Sequence, residues 1–335
     1  MKILITGGAG YIGSTICSAL KDHGHTPIIL DSLVTGRVEF TRQHIFYHGD
    51  IGDKDTVRDI FEDHPDIFAT IHCAALIVVP ESVAKPYEYY RENVVKSMHF
   101  FYQLAELGFP RLVFSSSAAI YDVVPGFMVT EDSPIKPNSP YSRTKYMMEM
   151  ILRDFTQAYG LKGIALRYFN PIGADPQLRS GMHIKDPTHI LGLLVKVARG
   201  DAPAFHITGT DWPTRDGTGI RDYIHVWDLA TAHVKAVEKF DQVIAQDADS
   251  QVPYVVINLG TGRGVTVREM VDAFEKVYGR PIDKIEVQRR PGDVAGAFAN
   301  ANKARDLLDW VAEKPIEKGI EDALRWAEVR DQVLD

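Results

Sequence analysis

The first thirteen residues, MKILITGGAGYIG, constrain the fold more than any other stretch of the chain. Lys2 to Thr6 reads as a short buried strand, Gly7-x-x-Gly10-x-x-Gly13 as a tight turn, and the residues from Tyr11 onward as the start of a helix. Without a Cβ, glycines let backbone amides approach a pyrophosphate, and the helix N-terminus behind them stabilises its charge. The spacing departs from G-x-G-x-x-G, but the strand and helix flank the turn as that mechanism requires. The next apolar run, Pro27 to Leu30, ends in Asp31, placed to accept hydrogen bonds from an adenosine ribose. A carboxylate there disfavours the extra phosphate of NADP, so the expected cofactor is NAD.

Beyond this unit, strand-like runs at Ile45 to His48, Ala69 to His72, Arg111 to Ser115 and Gly163 to Tyr168 alternate with helical ones at Tyr11 to His23, Asp55 to Asp63, Tyr87 to Leu107 and Tyr141 to Tyr159. Such alternation predicts an α/β fold with a doubly wound parallel sheet and right-handed crossovers. After Tyr168 the pattern is broken by Pro171, Pro176, Pro187, Pro203 and Pro213. Residues 1–170 are therefore expected to form a dinucleotide-binding domain, and residues 171–335 a smaller mixed α/β domain that sets substrate specificity. Val255 to Gly260 reads as a late strand returning to the main sheet before the helix Thr266 to Tyr278. The boundary is thus discontinuous, with return segments near 217–262. Helix Tyr141 to Tyr159 carries Tyr146, Met147, Met148, Met150, Ile151, Leu152 and Phe155, too many for one buried stripe. Contact with a second subunit, giving a homodimer, and full cover within one chain both accommodate this.

At 335 residues and a net charge of -8, the chain is an ordinary globular one, and its acidity argues against nucleic acid as the main partner. Cys17 and Cys73 lack metal-ligand spacing and read as buried thiols of a reducing compartment, so no metal is expected. A strand starting at Lys2 leaves no room for a signal peptide, and no apolar stretch is long enough to span a bilayer. A cytoplasmic protein without a membrane partner is expected.

The chemistry is carried by Ser115-Ser116-Ser117 and by Tyr141-x-x-x-Lys145. Residues four apart on a helix share a face, which brings the Lys145 ammonium near the Tyr141 phenol. A tyrosine is a poor base at neutral pH, its ordinary pKa being about 10. A unit charge roughly 4 Å away at an effective dielectric of about 20 is worth about 4 kcal/mol, or roughly three pKa units, which predicts a depressed phenol. Tyr141 can then take a hydroxyl proton as hydride leaves the same carbon.

Six segments extend this reading: ITGGAGYIG from Ile5, FSSSAAIY from Phe114, SPYSRTK from Ser139, RYFNPIGA from Arg167, DGTGIRDYIHVWDLA from Asp216 and RRPGDVAGAFAN from Arg289. With them the chain resembles, over nearly its whole length, the extended short-chain dehydrogenase/reductase family, and most closely its UDP-galactose (UDP-glucose) 4-epimerases. The resemblance implies a Rossmann fold, with Gly7, Gly10, Tyr11, Ile12, Gly13, Asp31, Asp50, Ile51, Ala74, Asn93, Tyr141, Lys145 and Tyr168 around NAD. It makes Tyr141 the acid/base, Lys145 its electrostatic partner and ribose anchor, and Ser117 a hydrogen-bond partner of the sugar oxygen at C4. On the substrate side it implies Asn170, His189, Arg221, Arg290, Asp293 and Ala297. The two arginines would hold the UDP phosphates and Asp293 the uridine ribose, in keeping with guanidinium forks on a diphosphate. The small side chain at Ala297 would leave room for an acetamide at C2. Transient oxidation at C4, turnover of the keto sugar and re-reduction follow as the implied reaction.

Ala118 and Ala119 stand where similar dehydratases and decarboxylases carry an acid after the active-site hydroxyl, which disfavours those reactions. The intact Ser117, Tyr141 and Lys145 set argues against a catalytically silent NAD-binding sensor. Ile77 replaces a lysine common in the family, Asp122 a glycine, and His189 an asparagine offered to the substrate; these departures leave a UDP-glucuronate 4-epimerase open as the alternative.

Overall fold

The computed structural model describes residues 1–248, 252–289 and 293–335. The chain begins with β1 (Lys2–Thr6), α1 (Tyr11–Asp22), β2 (Thr26–Asp31), β3 (Ile45–His48), α2 (Lys54–Asp63) and β4 (Ile67–His72). The helical stretch expected over Tyr87 to Leu107 is broken into several pieces. Short helices α3 (Val79–Ala84) and α4 (Pro86–Tyr90) lead into a π-helical turn at Arg91–Lys96, and only then does α5 (Ser97–Glu106) run regularly. The widened turn carries Asn93, whose side chain is bonded to the Leu76 backbone in both directions, and π-turns of this kind accumulate at functional sites.

Next come β5 (Arg111–Ser117), a short β6 (Met128–Val129) and α6 (Pro140–Ala158). Helix α6 starts sharply because Ser139 and Ser142 form a reciprocal capping box and Pro140 occupies the first turn. β7 (Lys162–Tyr168) then completes the run of strands expected from the first half.

Seven parallel strands form the main sheet in the order β12-β7-β5-β4-β1-β2-β3, where β12 (Tyr254–Leu259) is the late strand expected near Val255. Alternate residues of β1 face opposite sides. Ile3 and Ile5 pack with Ile16 and Leu20 of α1, and Leu4 packs with Ile60, Phe101 and Leu152 from α2, α5 and α6. Between β7 and β12 the chain builds a smaller domain with mixed pairing. Its strands β8 (Asn170–Ile172), β9 (Phe205–Thr208), β10 (Ile220–Arg221) and β11 (Tyr223–His225) are short, and α7 (Ile190–Ala198) lies among them. Helices α8 (Val226–Glu238) and α9 (Phe240–Asp247) return to cover the first face of the main sheet. After β12, the chain adds β13 (Val265–Thr266), α10 (Val267–Tyr278), β14 (Lys284–Val287) and β15 (Gly296–Ala299) to the smaller domain, and α11 (Asn302–Leu308) packs back on the main core. The final helix, α12 (Ile316–Val333), closes a second core with α7 and α10 through Leu194, Phe274 and Ile320.

On α6, Met148 and Leu152 are buried and Met150 is exposed. Phe155 meets Tyr159 edge-on at 4.9 Å, and Tyr159 meets the exposed Tyr102 of α5 at 5.2 Å. No helix among the described residues is long and apolar enough to cross a membrane.

Candidate active site

One cavity of about 930 Å³ runs along the C-terminal ends of the main-sheet strands and into the smaller domain. At one end lies the glycine turn. Gly7 adopts φ +73°, and a Cβ there would sit 2.7 Å from the Ala74 nitrogen; one on Gly13 would sit 2.2 Å from the Gly7 carbonyl oxygen. Gly10 precedes α1 without a side-chain cap, so the first amides of the helix stay free for a ligand. Asp31 ends β2 with its carboxylate fixed by two backbone donors, Ala9 N at 2.9 Å and Leu33 N at 2.8 Å. Asp50, at the edge of the same cavity, is paired with Lys96 at 2.6 Å. This cradle of free amides beside a buried carboxylate fits a dinucleotide.

The middle of the cavity holds Ser117 from the end of β5, Tyr141 and Lys145 from α6, and Tyr168 from the end of β7. The Lys145 ammonium donates to the Ser115 carbonyl at 2.7 Å and lies 5.1 Å from the centre of the Phe114 ring. Burial pulls its pKa down to about 8, against the opposing influence of Cys73 and Glu149. The expectation of a depressed Tyr141 is reversed in this structure. Burial pushes the phenol up, and the Ser117 hydroxyl is the group that acts against it. Burial of the phenol decides the direction, and the ammonium, engaged by the Ser115 carbonyl, does not offset it.

The far end is lined by Asn170, His189, Arg221 and Asp293, together with Phe205 and Trp212. His189 caps α7, accepting from Gly192 N through Nδ1 at 3.2 Å, and its Nε2 has no partner. Burial lowers its pKa to about 4, so it is a neutral imidazole. The Arg221 guanidinium donates to the Ile220 and Ala295 carbonyls at 2.7 and 2.8 Å, which aims it along the strand edge beside the cavity.

Of the sequence-predicted residues, Gly7, Gly10, Tyr11, Ile12, Gly13, Asp31, Asp50, Ile51, Ala74, Ser117, Tyr141, Lys145, Tyr168, Asn170, His189, Arg221 and Asp293 all line this one cavity. Two others stand behind its wall. Asn93 bonds to Leu76 and to Thr144 and thereby holds the lining residue Leu76 in place. Ala297 packs in the cluster of Tyr121, Val129 and Phe169, of which Phe169 reaches the cavity. Arg290 lies outside the described residues. Among the departures, Ile77 is 54% exposed at the cavity mouth, and Asp122 is paired with Lys136. Sequence reasoning missed Lys96, legible as the partner of Glu92 one helical turn away, and Trp212, an aromatic in a polar loop that stacks under Arg289 at 3.7 Å.

Comparison with known proteins gives the chain its relatives. The model of the "NAD dependent epimerase/dehydratase family" matches residues 3–260. A UDP-glucose 4-epimerase of Bacillus subtilis is 41% identical, covering 97% of this chain and 96% of its own. The structure of a UDP-glucose-4-epimerase from Stenotrophomonas maltophila, with bound NAD and formylated UDP-arabinopyranose, matches with a TM-score of 0.91 at 35% identity over 99% of both chains. A UDP-Glc/GlcNAc 4-epimerase from Campylobacter jejuni matches with a TM-score of 0.81 at 34% identity, over 98% of this chain and 99% of its own.

Proposed function

The chain belongs to the NAD dependent epimerase/dehydratase family, and on that premise we propose that it is an NAD-dependent isomerase that inverts C4 of UDP-hexoses. The observation that carries this reading is the single cavity. It joins a dinucleotide cradle, a Ser117–Tyr141–Lys145 centre and an end lined by Arg221 and Asp293.

Gly7, Gly10, Gly13 and Asp31 hold NAD at one end, with Tyr141, Lys145 and Tyr168 bordering it in the middle. NAD, when bound, supplies the acceptor and donor of hydride at C4. Tyr141 takes the proton of the C4 hydroxyl and later returns it, while Ser117 orients that hydroxyl by hydrogen bonding. Burial holds the phenol neutral in the protein alone, and the cationic nicotinamide ring of bound NAD, together with the Lys145 ammonium, would favour the phenolate that accepts the proton. Arg221, Arg290 and Asp293 anchor the UDP portion, with Asn170 and His189 along its path. Anchoring one end leaves the hexose free to turn over about its diphosphate link, so that both faces of C4 meet the same acid/base. Because hydride would leave and return to the same carbon, NAD held by these residues would act as a bound prosthetic group.

The residue assignments go with a division into a NAD-binding domain, residues 1–170 plus return segments near 217–262, and a nucleotide-sugar domain in the remainder. The exposed Tyr102 of α5, Met150 of α6 and Tyr159, which caps α6, support a homodimer built on these two helices. Two free cysteines support a reducing, cytoplasmic setting. Kinship with an epimerase named for both UDP-Glc and UDP-GlcNAc, together with the small Ala297, supports activity on N-acetylated sugars as well.

The test is incubation of the purified protein with UDP-glucose, UDP-N-acetylglucosamine and UDP-glucuronate, without added cofactor, and separation of the products by anion exchange. The expected result is the C4 epimer of UDP-glucose and of UDP-N-acetylglucosamine, with dinucleotide released on denaturation. Steady accumulation of NADH or of a stable keto sugar overturns the reading, and conversion of UDP-glucuronate alone reassigns the substrate.

A further inference from the structure

Beneath the reacting residues lies a set of buried polar side chains to which the reaction above gives no role. Glu149 and Arg167 are 3% and 4% exposed. They meet in a two-pronged contact, Arg167 Nε to Glu149 Oε1 at 2.9 Å and Nη2 to Oε2 at 2.6 Å. The Ser116 hydroxyl donates to Glu149 Oε1 as well. Arg167 Nη1 donates to the Tyr121 hydroxyl at 2.8 Å, which in turn donates to Asn258 Oδ1 at 2.8 Å.

Each partner is joined to a residue of the active centre by one step of regular structure. Side chains alternate along a strand, so Ser116 is backed by Ser117 and Arg167 by Tyr168. The β5–β7 register sets Ser116 opposite Arg167 and Ser117 opposite Tyr168. On α6, Tyr141, Lys145 and Glu149 follow at four-residue intervals on one stripe. Three separate elements that carry the chemistry are thus tied together at one carboxylate. A buried ion pair contributes little net stability, because both charges lose their hydration, but its fixed geometry specifies orientation.

We propose that Glu149, clamped by Arg167 and Ser116, is a positioning residue that holds Ser117, Tyr141 and Lys145 in their working arrangement and supplies the negative charge facing Lys145. The inference rests on the 4-epimerase reading. Lys145 is faced by Glu149 from its own helix, by His72 and Cys73 at the end of β4 and by the Ser115 carbonyl from β5, while Tyr141 and Tyr168 line the same cavity. Burial keeps His72, Cys73, Tyr141 and Tyr168 neutral near pH 7, raising the three acids and lowering His72 to about 3. The charge left beside Lys145 is that of Glu149, itself paired with Arg167. Glu149 favours the ammonium, against the burial that lowers Lys145 to about 8. Removing the Glu149 charge therefore lets Lys145 lose its proton at lower pH.

The experiment measures kcat, KM and the pH profile of UDP-glucose epimerisation for wild type, Glu149→Gln, Glu149→Asp and Ser116→Ala. Misplacement of a reacting group by about 1 Å costs about 100-fold in rate, so Glu149→Gln is expected to lose about 10- to 100-fold in kcat. Its KM should stay within about twofold of wild type, because the nucleotide is anchored elsewhere. The alkaline limb of its kcat profile should move to lower pH. Glu149→Asp keeps the charge and leaves that limb in place, and Ser116→Ala loses kcat a few-fold without moving it. Equal losses in the Gln and Asp variants with unmoved limbs, or a KM that rises in step with the loss of kcat, overturn the proposal. Should Glu149→Gln fail to fold, wild-type kcat in both Ser116→Ala and Glu149→Asp overturns it. An inactive wild type overturns the epimerase reading itself, whereas an active wild type with unaffected variants overturns this inference alone.

Discussion

The two ends of the cavity are built in different ways. At the proposed cofactor end the lining groups are mostly backbone. A glycine turn, the uncapped start of α1 and the Asp31 carboxylate fixed by two amides lie within the first 33 residues, around adjacent strands. At the proposed substrate end the lining groups are side chains from scattered elements: Asn170 on β8, His189 before α7, Arg221 on β10 and Asp293 before β15. A backbone cradle is fixed by its own hydrogen bonding and has no room for a Cβ at Gly7 or Gly13. A wall of side chains depends on long-range packing, and its shape changes with one residue.

The largest effect tests the point where the two ends meet. Tyr141→Phe should lower kcat by about 10²- to 10⁴-fold, the range typical of acid/base groups, with UDP binding by calorimetry and bound NAD both retained. Near-normal turnover would remove Tyr141 from its role. Next, Gly13→Ala tests the rigidity of the backbone cradle, because the new Cβ would meet the Gly7 carbonyl oxygen at 2.2 Å. Overpacking of this kind costs about 1–3 kcal/mol, or roughly 5- to 150-fold in affinity, so the dinucleotide released per protein on denaturation should fall sharply. Full NAD content would show that the cradle yields as readily as the other end.

Ala297→Tyr tests whether the substrate end is shaped by single side chains. A phenol ring beside Phe169 should remove activity on UDP-N-acetylglucosamine by about tenfold or more while sparing UDP-glucose, a discrimination of the size that steric pockets achieve. Equal harm to both substrates would mean that residue 297 acts only through the Tyr121–Phe169 cluster.

The smallest effect concerns acid stability and separates the two ends by pH. Burial lowers His72, between β4 and α5, to about 3 and His189 to about 4, both below the ordinary value of 6.5. In that window the unfolded chain binds protons that the folded one excludes, so stability falls as pH drops from about 6.5 toward 3–4. Thermal unfolding of the apo protein should show this slope, and His72→Gln and His189→Asn should each flatten part of it. Saturation with UDP should offset it in both variants unless His189 is needed for nucleotide binding. An unchanged slope in both variants would place the acid sensitivity elsewhere.

The contrast also explains what the sequence could reveal. All seven main-sheet strands were legible as short apolar runs, six of them largely buried and the edge strand β3 exposed, and β12 was found near Val255 in the same way. Asp31 was legible because it ends such a run. The π-turn at Arg91–Lys96 was not, since it depends on Asn93 reaching Leu76, a contact that no local pattern encodes. Nor were two-residue strands such as β10 and β13, which exist only through their partners. The sign of the Tyr141 shift was missed because i,i+4 spacing predicts proximity but neither the burial that raises the phenol nor the turn of the ammonium to the Ser115 carbonyl.

The path of the chain has a consequence for genetic damage. Helices α8 and α9 and strand β12 complete the first face of the main sheet, where Leu229, Val234, Phe240 and Ile257 share a core with Ile3 and Ile16. A stop codon shortly after residue 170 would not release a working nucleotide binder shorn of its specificity module. It would leave the oldest part of the nascent chain with only α1 covering the first face of its sheet, a target for proteolysis rather than a simpler protein.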